Sequence, residues 1–178
     1  MTLENLLELD QSRKNIDQVV ALIVGQPKLF EQLWQIFLRD QEPLSRRAAW
    51  AIDIMNEKYP FILQTHIDQL MEVIQGFRHD GMRRHSLRII ESHHITPANI
   101  EKLTDICFRW LEDNTMPVAV KMYSIKILER IAGEEPEIIR ELIDIIEIQM
   151  NEATPGFKNI GLKTIRRLQK SIKPDYIR

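Results

Sequence analysis

Four short segments of this chain repeat one arrangement of residue sizes at almost constant spacing, and no other feature limits the fold so tightly. Arg46-Arg47-Ala48-Ala49-Trp50, Arg83-Arg84-His85-Ser86-Leu87, Lys121-Met122-Tyr123-Ser124-Ile125 and Lys158-Asn159-Ile160-Gly161-Leu162 open at positions 46, 83, 121 and 158, spacings of 37, 38 and 37. Each starts on a basic residue and has a small residue three places on: Ala49, Ser86, Ser124 and Gly161. A large apolar residue follows at once, and Ile52, Ile89, Ile127 and Thr164 stand two places further. A second pattern precedes each: Phe30, Leu33, Ile36 and Phe37; Ile67, Leu70, Val73 and Ile74; Ile100, Leu103, Ile106 and Cys107; Ile139, Leu142, Ile145 and Ile146. Two patterns in fixed order, four times over, predict an array of stacked helix pairs. One pair cannot cover its own apolar face, so neighbours stack, and the small residue lets two backbones approach.

The periodicity is helical throughout. Ile138, Ile139, Leu142, Ile145 and Ile146 follow the i, i+3, i+4, i+7 pattern, with Arg140, Glu141 and Asp144 between them. No run alternates with a period of two between turn dipeptides, so no sheet is expected. Thr96-Pro97, Glu135-Pro136 and Thr154-Pro155 read as helix starts, since the amide that proline lacks is unpaired in a first turn anyway. About eight or nine helices of 10 to 17 residues are expected. Leu103 and Lys121 are 18 residues apart, against 13 from Leu33 to Arg46, so the third repeat should have a longer first helix, through Trp110 and Leu111. Ile16, Val19, Val20, Leu22 and Ile23 would cap the first repeat, and Lys170, Lys173 and Arg178 would close the far side. The expected layout is a single domain over 1–178 with a cap at 1–25 and repeats at about 27–59, 60–95, 97–133 and 136–173.

A period of about 37 residues, two amphipathic helices and a second helix opening Arg-x-x-small-apolar resemble HEAT repeats. Arg46-Arg47-Ala48-Ala49-Trp50-Ala51-Ile52 is the nearest match, and the likeness covers about residues 27 to 172. The aspartate that often precedes the second HEAT helix has a counterpart in Asp40. The resemblance implies an all-α fold: an α-α superhelix of about four HEAT-like, armadillo-type helix pairs with an N-terminal capping helix, its second helices lining a concave side.

On a helical wheel with the repeating basic residue at zero, offset +5 points away from the expected core arc. Offsets +5, +1 and +8 hold Ala51, Arg88, Lys126 and Lys163; Arg47, Arg84, Met122 and Asn159; and Ile54, Glu91, Glu129 and Arg166. Six of these twelve are basic and two acidic. The first helices lean acidic, with Glu31, Asp68, Glu72, Glu101, Asp105, Glu141, Asp144 and Glu147. The formal net charge of -2 argues against a strongly cationic nucleic-acid coat, yet residues 134–152 carry seven acidic residues against one basic, and 153–178 the reverse. The candidate binding face is therefore Arg47, Arg84, Arg88, Lys126, Lys163 and Arg166, suited to an acidic protein segment or a phosphate-bearing ligand. Arg46, Arg83, Lys121 and Lys158 border the core and read as structural, packing their stems there.

Catalytic chemistry has few candidates. No Ser-His-Asp ordering, P-loop or GxGxxG occurs, and HExxH and paired CxxC are missing. His66, His79, His85, His93 and His94 read as surface or helix-end residues, and Cys107, the one cysteine, as an inert core thiol. Trp34, Trp50 and Trp110 read as packing residues. No metal or cofactor is expected. No run of 18 to 20 apolar residues spans a bilayer, and the N-terminal stretch lacks the form of a secretory signal, so the expected location is cytoplasmic. The expected function is a non-enzymatic scaffold binding a protein partner through the basic face. The alternative is nucleic-acid binding in the manner of HEAT-like DNA alkylation-repair glycosylases, and an accessory subunit of an enzyme is a third reading.

Overall fold

A computed structural model describes residues 2–151 and 153–172 of the chain. Lys173 and Arg178, assigned above to the closing end, lie outside the described residues, as does the last residue of the fourth expected repeat. The described residues form ten α-helices and no strand, in two compact units that divide between Ile95 and Thr96.

The first unit opens with α1 (Leu3–Leu9) and α2 (Arg13–Gly25), where a single capping helix was expected. The break between them follows from local polar chemistry. Asp10 Oδ1 accepts from the Ser12 amide, and Ser12 Oγ caps α2 by accepting from the Asn15 amide at 3.1 Å. Buried Asn15 then donates its Nδ2 to Leu6 O and Asp10 O, locking the corner. Two helix pairs follow: α3 (Leu29–Leu38) with α4 (Leu44–Lys58), then α5 (Ile67–Val73) with α6 (Asp80–Glu91). Short 3-10 turns at Gln64–His66 and Ile74–Gly76 flank α5, so the first helix of this repeat is shorter than its pattern implied.

Helix α4 lies at the centre of this unit, packed on α1, α2, α3 and α6. Every residue from 51 to 56 is buried. That overturns the expectation that offset +5 faces away from the core here: Ala51 is 0% exposed and Ile54 is buried too, because four helices pack on α4. Trp50, placed in the core column, is only half-buried. Asp40 tethers the loop before α4. Its φ of 51° is a left-handed conformation that aspartate tolerates, and its Oδ2 accepts from the Arg78 amide at 2.9 Å and from Arg78 Nε at 3.3 Å.

The second unit has α7 (Pro97–Glu112) against α8 (Val118–Ala132), then α9 (Ile139–Met150) against α10 (Pro155–Ser171), with α10 also on α8 and α9 on α7. The wider gap noted above is the longer α7, which buries Trp110 and Leu111. Proline starts α7 and α10 as expected, and Thr154 Oγ1 caps α10. Pro136 instead opens a single 3-10 turn, Pro136–Ile138, which leads into α9.

The small column is buried at all four places, and the contact it permits is explicit at Gly161. A Cβ there would sit 2.9 Å from Ile146 Cγ2 and 3.0 Å from Met150 Sδ, so any side chain would force these two α9 side chains to shift. Several polar links join neighbouring repeats at separations close to the repeat length. Trp34 Nε1 donates to Gln69 Oε1 and Asn56 Nδ2 to Ser92 Oγ in the first unit, 35 and 36 residues apart. Gln149 Nε2 donates to Glu112 O and Thr164 Oγ1 to Glu129 Oε2 in the second, 37 and 35 apart. Each link joins a residue to its neighbour one repeat away, as a stack of equivalent pairs requires. Among the described residues, no helix is long and apolar enough to cross a membrane.

Candidate binding surface

The six nominated cations meet different surroundings. In the first unit Arg47 is half-buried and its Nη1 donates to Leu7 O at 2.7 Å, satisfying a carbonyl in the last turn of α1 that has no partner within the helix. Arg88 is also committed: Nη1 donates to Asp53 Oδ2 at 2.8 Å and Nη2 to Glu57. These two arginines serve internal contacts, and neither is a freely presented cation. Arg84 is exposed, with Nη2 3.1 Å from His85 Nε2. A guanidinium only donates, so Nε2 accepts and His85 Nδ1–H donates to Asp53 Oδ2 at 3.0 Å. Asp53, nearly fully buried on α4, thus holds both His85 and Arg88 of α6.

In the second unit Lys126, Lys163 and Arg166 are all exposed, and among the described residues none has an ion pair. Lys126 Nζ lies 5.1 Å from the centre of the Tyr123 ring, an arrangement that holds a cation over an aromatic face. Lys126 and Lys163 occupy the same column on α8 and α10, which pack together. The acidic residue of this face, Glu129, is taken up by Arg167, whose Nη2 donates to Glu129 Oε2 at 2.8 Å, while Thr164 donates to the same oxygen. Glu129 hydrogen-bonds Arg167 and raises its pKa. The wheel reading counted Glu129 among the acidic positions of this face and did not single out Arg167. Helix α9 exposes Glu141, Asp144 and Glu147, so this unit presents an acidic helix and a basic one.

The bordering column is occupied internally. Arg46 pairs with Glu42 and reaches Gln11, its stem along Gly81; Arg83 pairs with Asp80; Lys121 donates to Gln149. Lys158 is exposed. Two histidines depart from the surface reading. His85 and His93 are buried, and His93 is hydrogen-bonded at Nε2 to Asn56 Oδ1 at 2.6 Å. The available signal was position, since His85 stands in the column of buried Ala48. His66 is edge-on to Phe30 and Trp34 and reaches Glu31 at 3.3 Å. Gln35, and secondly His66, hydrogen-bond Glu31 and hold its carboxyl below the ordinary value. Cys107 is fully buried, and burial pushes its thiol up to about 12. Among the described residues, no three His, Cys, Asp or Glu side chains are grouped to hold a metal ion.

No curated protein and no solved structure matches the chain. A family does. The columns of small and apolar residues, the paired helices and the contacts one repeat apart agree with a match to the family described as HEAT repeat domain over residues 3–170, and the chain belongs to that family.

Proposed function

We propose that this HEAT repeat protein is a non-enzymatic scaffold that binds an acidic segment of a protein partner, and that Lys126, Lys163 and Arg166 of the second unit carry the contact. The observation behind the reading is that these three exposed cations remain without ion pairs after Arg167 has taken Glu129. Clustered cations attract acidic chains and speed their encounter. Arg84 offers a further exposed cation on the first unit. Arg47 and Arg88, bound to Leu7 O and to Asp53 and Glu57, contribute to the fold in this reading. The acidic exposed residues of α9 in the same unit would repel a long polyanion running across them, which favours a short acidic segment.

The test compares a fluorescent oligoglutamate peptide with duplex DNA at low and moderate salt. The peptide should bind, and joint substitution Lys126→Glu, Lys163→Glu and Arg166→Glu should weaken it roughly 100-fold with circular dichroism unchanged. Unaltered peptide affinity in that variant rejects the face. Micromolar duplex binding with a steep salt slope would transfer the assignment to nucleic acid.

A further inference from the structure

Helices α8, α9 and α10 of the second unit and the segment between α7 and α8 leave a cleft of about 510 Å³, lined by Met116, Val118, Lys121, Ile148, Gln149 and Phe157 among others. We propose that this cleft receives a carboxylate group joined to a short apolar body, with Lys121 as the cation that holds the head group.

The argument begins with the lysine. Lys121 is 7% exposed, and its Nζ donates to Gln149 Oε1. Gln149 cannot turn freely, since its Nε2 donates to Glu112 O at 3.1 Å and to Asn114 Oδ1 at 3.3 Å, which keeps Oε1 toward the ammonium. A neutral amide takes one of the three N–H donors and compensates a buried positive charge only in part. Burial accordingly lowers the Lys121 pKa, by more than the charge of Asp113 raises it. A carboxylate brought against Nζ relieves that deficit. With the charge of Asp113 already acting on this lysine, the site suits at most one further negative charge, which favours a carboxylate over the double charge of a phosphate monoester.

The remaining walls define the body of the ligand. Met116, Val118, Ile148 and Phe157 are apolar, and Val118 and Ile148 stay 38% and 66% exposed, a hydrophobic lip in place of a solvated one. The cleft is of the size that holds small ligands, whose sites run from about 300 to 1,000 Å³. Its occupant would bury that lip while its head group reaches Lys121. The site is separate from the proposed docking face: Lys126 is five residues further along α8, a rotation of about 140° around the helix.

A free short carboxylic acid and a glutamate side chain flanked by leucines share this chemistry. Hexanoate against hexanamide probes the first source. A blocked leucine–glutamate–leucine tripeptide against its glutamine counterpart probes the second. Methyl and lysine side-chain NMR of the whole chain should show Val118 and Ile148 resonances moving saturably with at least one acid and not with its amide, and the Lys121 titration midpoint rising. Affinity should fall as pH rises through the lowered Lys121 pKa, because only the charged amine attracts the head group. Lys121→Met should weaken binding about ten-fold. The proposal is overturned if neither acid produces a saturable shift, if acid and amide behave alike, or if Lys121→Met binds as the parent does. Should Lys121→Met fail to fold, the acid–amide comparison on the parent chain decides alone.

Discussion

Cys107 shows how a residue with reactive chemistry becomes a packing unit. Its side chain is fully buried, and desolvation raises its pKa from 9.0 to about 12, with a Ser124 hydrogen bond pulling weakly the other way. The thiolate is the nucleophile, so a maleimide should leave the native chain unmodified at neutral pH and react stoichiometrically after unfolding. The same shift has a consequence for stability. Between pH 9 and about 12 the unfolded thiol ionises while the folded one keeps its proton, so Cys107 favours the folded state below that window and loses the effect as pH rises through it. Urea midpoints of Cys107→Val should therefore fall less steeply than the parent's over that range. The role of this residue was legible from its column alone, beside Phe37, Ile74 and Ile146, all buried. The hydrogen-bond partners of the buried histidines were not. His85 and His93 depend on partners at Asp53 and Asn56, 32 and 37 residues away, and a single-helix wheel contains no term for a hydrogen bond to another helix.

Between helices, the same limitation decided which cations are available. A wheel assumes one buried arc, but α4 packs against four helices, and its offset +5 position is buried Ala51. Charges in such surroundings must be paired, and Asp53 is the paired acid, accepting from His85 and Arg88 of α6. Glu57 also receives Arg88, but from an exposed position. Removing each acid should separate the two environments. Asp53→Ala strands His85 and Arg88 without their acceptor and should cost about 2–4 kcal/mol in equilibrium unfolding, discounted because Arg88 is partly exposed. Glu57→Ala should cost under about 1 kcal/mol, the usual range for a surface pair. Equal losses would show that the α4–α6 polar network is not centred on Asp53.

At the level of the whole molecule, each unit is held by packing and polar links between neighbouring repeats, so stability is set by nearest neighbours. The column four places after the repeating basic residue shows what a neighbour does. Leu87 on α6 and Ile125 on α8 are fully buried there, whereas Leu162 on α10 is 47% exposed, because no described helix covers it. The repeat pattern assigned all three the same environment, since it records which residue occupies a place and not whether another repeat packs over it. Ile125→Lys should therefore destabilise by about 4 kcal/mol or more, as an unpaired ammonium would be forced into a fully buried position. Leu162→Lys should change stability by no more than about 0.5 kcal/mol, because water already reaches that position. Thermal unfolding of the two variants makes the comparison. A loss at Leu162 approaching that at Ile125 would mean that this face of α10 is covered in solution, and concentration dependence of the midpoint would then identify a second copy of the chain as the cover.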